Sequence, residues 1–278
     1  MQRSCNFSVS ACVKRVETKK QYRMKRVILL LLTTLALTSC IQITESNSVL
    51  PLKTEQRQTA AFERIRLQGS PSLYYTQSDS VSVRVEAPED ILKHVETNVE
   101  NACLTVQMRD NLKGVVTQLR FTDGDDVKVY VSSPDLIEVS LTGSGEFKCN
   151  GKLDTDNLKI ELRGSGDIDF EDIICDRIET LLVGSGDLKV GHVIAQQSAI
   201  ELVGSGDLKI EHENVARTDI TLKGSGDVEA GFQNCGEVVS ELRGSGDIKL
   251  AGDVFTEKNK VVGSGTISVE GLSIRETE

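Results

Sequence analysis

Along the second half of the chain, apolar residues fall two apart in short runs, and the runs come in pairs separated by polar stretches. After each of seven Gly-Ser-Gly tripeptides stands an apolar pair: Phe147/Cys149, Ile168/Phe170, Leu188/Val190, Leu208/Ile210, Val228/Ala230, Ile248/Leu250 and Ile267/Val269. A second alternating set precedes the next tripeptide, as in Leu158-x-Ile160-x-Leu162, Ile200-x-Leu202 and Ile220-x-Leu222. A period of two sends all of these side chains to one face of a strand. One more apolar residue sits inside the polar stretch between the two runs, among them Cys175, Ala195, Val215, Cys235 and Val254. Each unit is therefore two short strands and two bends.

The tripeptides begin at Gly143, Gly164, Gly184, Gly204, Gly224, Gly244 and Gly263, with spacings of 21, 20, 20, 20, 20 and 19 residues. Five continue with Asp: Asp167, Asp187, Asp207, Asp227 and Asp247. So small a unit cannot bury its own apolar face, and the remedy is stacking. Coiling in parallel register puts each inward side chain on its equivalent one rung away, about 4.8 Å distant. This predicts an all-β chain, a right-handed, single-stranded parallel β-helix with coils of roughly 20 residues, regular over 143–278. A sharp corner repeated in every rung needs φ > 0 or close backbone approach, which glycine permits. Stacked serines can hydrogen-bond along the axis.

Residues 62–142 carry the same alternation less regularly, in Ile65-x-Leu67, Val81-x-Val83-x-Val85, Val127-x-Val129-x-Val131 and Ile137-x-Val139-x-Leu141. Gly69-Ser70 reads as a degenerate corner. Irregular first coils with a cap are expected here, because an end must cover the core and block edge pairing. Glu89 to Asn101 is expected to be a short helix or loop over that end. The run Phe62-Glu63-Arg64-Ile65-Arg66-Leu67, the Val81–Val85 strand, the Val127–Leu141 stretch and the serial GSGD units resemble the putative auto-transporter adhesin, head-GIN domain family, over about residues 62–272. The resemblance implies an exported β-helical body and an adhesin role, as found chiefly in Bacteroidota, and brings no catalytic motif.

Ahead of the body, Met24 opens MKRVILLLLTTLALTSC, with two cations, an apolar run from Val27 to Leu37 and small residues before Cys40. That is the plan of a signal peptide over 24–39, too short to span a bilayer as a stable helix. Leu37-Thr38-Ser39-Cys40 resembles a bacterial lipobox, so Cys40 is expected to receive a diacylglycerol and anchor the protein to a membrane. Residues 1–23 read as an upstream extension before the true start, and 40–61 as a polar tether. The expected location is the cell envelope, lipid-anchored in the outer membrane.

Charge narrows the partners. The whole chain carries −10, and removing the first 39 residues leaves 24 basic against 41 acidic side chains. Such a surface repels phosphates, so no nucleic acid partner is expected. The flat strand faces suit a glycan, another protein or a second copy. A carbohydrate-active enzyme is the alternative, since β-helices also carry such activities, but those sites need acids and bases set outside the repeat and aromatic rings to hold sugars. With no Trp, seven Phe and four Tyr, no catalytic residues and no cofactor are expected. A purely structural envelope lipoprotein is the third reading.

Three constellations remain. The Asp column brings like charges one rung apart; it reads as a turn device in which Asp bonds nearby backbone N–H groups, relieved by Lys189, Lys209 and Lys249, with calcium as the sharper alternative. His192 and His212 both follow their corner glycine by eight residues, beside Asp172 and Phe232 at the same position. A column of two imidazoles and a carboxylate suits a transition metal, against a plain exposed ladder; His94 stands alone. Cys175 and Cys235 share a repeat position three rungs apart, beyond disulfide reach, so with Cys149 they are expected to be small core residues, Cys103 being undecided.

Overall fold

The computed structural model describes residues 51–109 and 127–275. The expected extension, the signal peptide, Cys40 and the first part of the tether lie outside these residues. Among the described residues no helix is long and apolar enough to cross a membrane.

The repeats coil as their periodicity requires. Strands Asp167–Ile174, Asp187–Ile194 and Asp207–Glu213 pair parallel in series, and so do Asn157–Gly164, Arg177–Gly184, Gln197–Gly204 and Arg217–Gly224. Corner stands on corner: Gly143, Gly164, Gly184, Gly204, Gly224, Gly244 and Gly263 are register partners rung after rung. The inward columns are the predicted ones. Phe147, Ile168, Leu188, Leu208, Val228 and Ile248 stack in one line, and Cys175, Ala195, Val215, Cys235 and Val254 are all buried. The serine ladder is seen between Ser245 and Ser264, whose hydroxyls lie 3.1 Å apart.

The corner is closed by backbone. The N–H groups of Ser205 and Gly206 both reach the carbonyl of Gly184, at 2.9 and 3.1 Å, and the neighbouring corners repeat the arrangement. Gly204 holds φ +138°, and a Cβ there would collide with the Gly184 carbonyl oxygen. The corner thus needs glycine for both of the reasons expected of it.

The N-terminal part departs from simple coiling. Arg64–Gly69 and Ser72–Gln77 form the first rung, with Gly69 in register with Gly143. The chain then leaves the spiral and returns only at Glu138, having laid Cys103–Met108 and Lys128–Ser133 parallel on the far side of that rung. Ser82–Pro88 and Val95–Glu100 pair antiparallel outside these two, so the expected all-parallel coiling gives way to mixed sheet at this end. Two expectations are corrected. Leu52–Arg57, assigned to the tether, is a strand antiparallel to Ser82–Pro88. Of the segment expected as helix or loop, only Glu89–Leu92 is helical, and Val95–Glu100 is strand, because Val95 packs into the core while Val99 leans on it. The cap seals the core with Tyr75, whose hydroxyl bonds the Ser133 carbonyl at 3.1 Å.

Candidate functional site

One outer face is built by the strand that follows each corner. Its first column runs Glu146, Asp167, Asp187, Asp207, Asp227, Asp247 and Thr266. The carboxylates are relieved between rungs, not within a local turn. The backbone N–H of Asp247 donates to Asp227 Oδ1 at 3.3 Å, and that of Thr266 to Asp247 Oδ1 at 3.1 Å. Burial, then the Asp187 charge, push the Asp167 carboxyl above its usual range. The lysines two residues on form their own column with Asp169 and Glu229, where Lys249 reaches Glu229 at 3.0 Å and Lys209 at 3.7 Å. Lys209 and Lys249 thus pair directly with Glu229, while the Asp227 and Asp247 charges also act on Lys249.

The two histidines do not share a column. His192 does sit beside Asp172, with Nδ1 3.5 Å from Oδ1, but its Nε2 meets Glu213 Oε2 at 2.7 Å on the other side. His212 pairs with Val193 and is buried, stacked on Phe232 at 5.1 Å between centroids, with ring nitrogens on Ser198 Oγ at 3.0 Å and the Gly231 carbonyl at 3.2 Å. The cause is the second corner. In the His192 coil a register shift follows Val190, whereas in the next coil Asn214 takes a left-handed φ of 58° and absorbs one residue, which turns His212 inward. No group of three or more His, Cys, Asp or Glu able to hold a metal exists among the described residues. His94 lies just beyond the single helical turn, its N–H on the Ile91 carbonyl. The four described cysteines are free, with Cys149, Cys175 and Cys235 buried and Cys103 half-buried. Burial pushes the Cys149 and Cys175 thiols up to about 12.

The same outer face carries a second kind of chemistry at its N-terminal end. The lysine column continues back through Lys148 to Tyr74, Tyr130 and Arg84 on successive strands. The tyrosine rings stack at 5.4 Å with 22° between planes, and the Arg84 guanidinium lies 4.3 Å from the Tyr130 centroid. Beside this stack runs a groove of about 390 Å³, completed by Thr76, Ser82, Ser132, Val131 and Asn150. None of its lining side chains is acidic, on a chain of net charge −10. Lys148 is drawn away from it into an ion pair with Glu146. Counting aromatic residues missed this site. A local signal existed, because Tyr130 stands at an outward position between Val129 and Val131, where a repeat strand carries a charge.

Solved structures share the fold. A structure described as a putative adhesin from Bacteroides fragilis NCTC 9343 superposes with a TM-score of 0.68 at 24% identity, over 78% of this chain and 96% of that one. A putative lipid binding protein from Parabacteroides distasonis ATCC 8503 gives 0.62 at 23%, over 78% and 95%. A putative adhesin from the same strain gives 0.62 at 18%, over 79% and 97%. Among curated proteins there is no match to this chain. The family model described as "putative auto-transporter adhesin, head GIN domain" matches residues 61–253 and 194–278, and the chain belongs to that family.

Proposed function

We propose that this chain is a non-catalytic cell-envelope lipoprotein, anchored in the outer membrane through Cys40, that acts as an adhesin or binding module by presenting a rigid β-helical face to a glycan or protein. The observation that carries this reading is the continuous outer face, on which acidic and mixed-charge columns lead into the aromatic groove without a break in strand pairing. A face made of paired strands is ordered before it meets a ligand, so binding costs little further conformational entropy. The family name and the adhesin-named structural neighbours agree with the reading.

The test uses intact cells. Protease shaving is expected to remove the body from the surface, Cys40→Ser to release the protein from the membrane fraction, and cells lacking the gene to adhere less to host glycoprotein or matrix. Retention of the protein after shaving of intact cells, together with unchanged adhesion, would overturn the adhesin role.

A further inference from the structure

We propose that the groove beside Tyr74, Tyr130 and Arg84 binds a sugar bearing a carboxylate, a claim that rests on the binding-module reading and gives its ligand a chemical class. The lining combines phenol, hydroxyl and amide groups from Tyr74, Tyr130, Ser82, Ser132, Thr76 and Asn150. Hydroxyls and amides both donate and accept, as saccharide hydroxyls do. Ser132 Oγ donates to the Ser80 carbonyl at 2.8 Å and keeps its lone pairs to accept, and Ser82 Oγ accepts from Gln56 at 2.9 Å and keeps its proton to donate. The tyrosine rings supply apolar surface for the C–H groups of a pyranose while keeping a polar tip in water.

Arg84 adds the charge selection. It makes no ion pair among the described residues, whereas most of the cations along the repeats lie within reach of a carboxylate: Lys148 on Glu146, Lys249 on Glu229, Arg217 on Asp219 and Lys223 on Glu201. A guanidinium laid against the Tyr130 ring is held in one plane, with its N–H edge left for a planar carboxylate in bidentate geometry. The surroundings sharpen the choice. The aspartate column along the repeats repels an anion, whereas the groove lining carries no acid and Arg84 stands in it. The site is also pre-formed, since Ser72–Gln77 and Lys128–Ser133 each have strand neighbours on both sides and Ser82–Pro88 lies between Lys128–Ser133 and Leu52–Arg57.

The test takes the mature chain with Cys40→Ser and titrates it calorimetrically with four probes: oligogalacturonate, sialyllactose, and the neutral galacto-oligosaccharide and lactose. Binding of one carboxylated probe is expected, at least about tenfold tighter than its neutral counterpart, and the two acidic arms separate uronate from sialate. Arg84→Gln is expected to reduce that affinity to the neutral level, and Tyr74→Ala with Tyr130→Ala to abolish it. Asp207→Asn, on the same face but away from the groove, is expected to leave it intact, and thermal melts establish that each variant is folded. Equal affinity for charged and neutral probes with a silent Arg84→Gln would overturn the proposal. So would adhesion of intact cells that persists unchanged in the tyrosine variants while no probe binds, an outcome that leaves the adhesin role standing. Groove binding by a protein that mediates no adhesion would instead uphold the site and remove the adhesin role.

Discussion

A methyl group added at Gly204 has nowhere to go, because the Gly184 carbonyl that would meet it is already fixed by the N–H groups of Ser205 and Gly206. Gly204→Ala is expected to cost about 3 kcal/mol or more, as the φ strain adds to the overlap. Gly151→Ala is the control: its φ is also positive, at 81°, but a Cβ there meets nothing, so a loss nearer 1 kcal/mol is expected in urea unfolding. Equal losses would mean that conformation, not rung spacing, demands glycine. A second residue-level effect comes from His212, which burial lowers from 6.5 to about 4. Between those values the unfolded chain binds a proton that the folded one refuses. Stability therefore falls as pH drops through that window, by about 3 kcal/mol in all, and no further below it. Asp167 works weakly the other way, because its carboxyl is raised and protonation relieves the ladder. Replacing His212 by Phe, the residue stacked on it from the next rung, is expected to flatten the slope of stability between pH 6.5 and 4. An unchanged slope would show that the imidazole is not the group being titrated.

At the scale of elements, the ladder of carboxylates is held by alternation of charge repulsion and backbone donation. Asp227→Asn keeps an oxygen for the N–H of Asp247 on the next rung and removes one like charge from the column, so a gain of about 0.5 kcal/mol is expected, smaller at high salt. A melting temperature that rises with added calcium in the native protein but not in this variant would assign the ladder to the ion instead. Strands and corners were legible because period two and period twenty coincide in this sequence: Leu188, Val190 and Leu202 each recur one rung on as Leu208, Ile210 and Leu222. The second corner was not, since two solutions of equal length exist for it. The His192 coil bulges after Val190, and the next one turns at Asn214, yet both span twenty residues. Asn214 and Asn234 were the signal, being residues that tolerate the left-handed region. The inserted cap was illegible for another reason. Nothing local in Lys128–Ser133 says that it pairs with Ser72–Gln77 on the side away from the repeats, a choice made only by the assembled rung. The groove is formed by that pairing, so its assembly was hidden with it, although Tyr130 at an outward position pointed to this strand.

For the whole molecule, parallel stacking makes stability a sum of rungs and of contacts between nearest neighbours. A coil is then a removable part, provided that the cut respects the register. Deleting Ser165–Gly184 joins Gly164 to Ser185 and sets Leu188 on Phe147, Val190 on Cys149, Ile200 on Ile160 and Leu202 on Leu162. These are the partners that Ile168, Phe170, Thr180 and Leu182 now have, and the corner glycines meet as before. The shortened chain is expected to unfold cooperatively with a urea m-value lower by about a tenth, in proportion to the surface it buries. Deleting only Ser165–Ile174 would set corner glycines against strand positions and send inward side chains to places shaped for others, so that protein is expected to aggregate or remain unfolded. The groove lies beyond the cut, on strands that neither deletion touches. The coil-deleted protein should therefore keep its ligand affinity while losing one rung of length, which measures separately what the repeats contribute to stability and what the cap contributes to recognition. If the ten-residue deletion were as stable as the twenty-residue one, the rungs would not be stacked in the register that the corner glycines define.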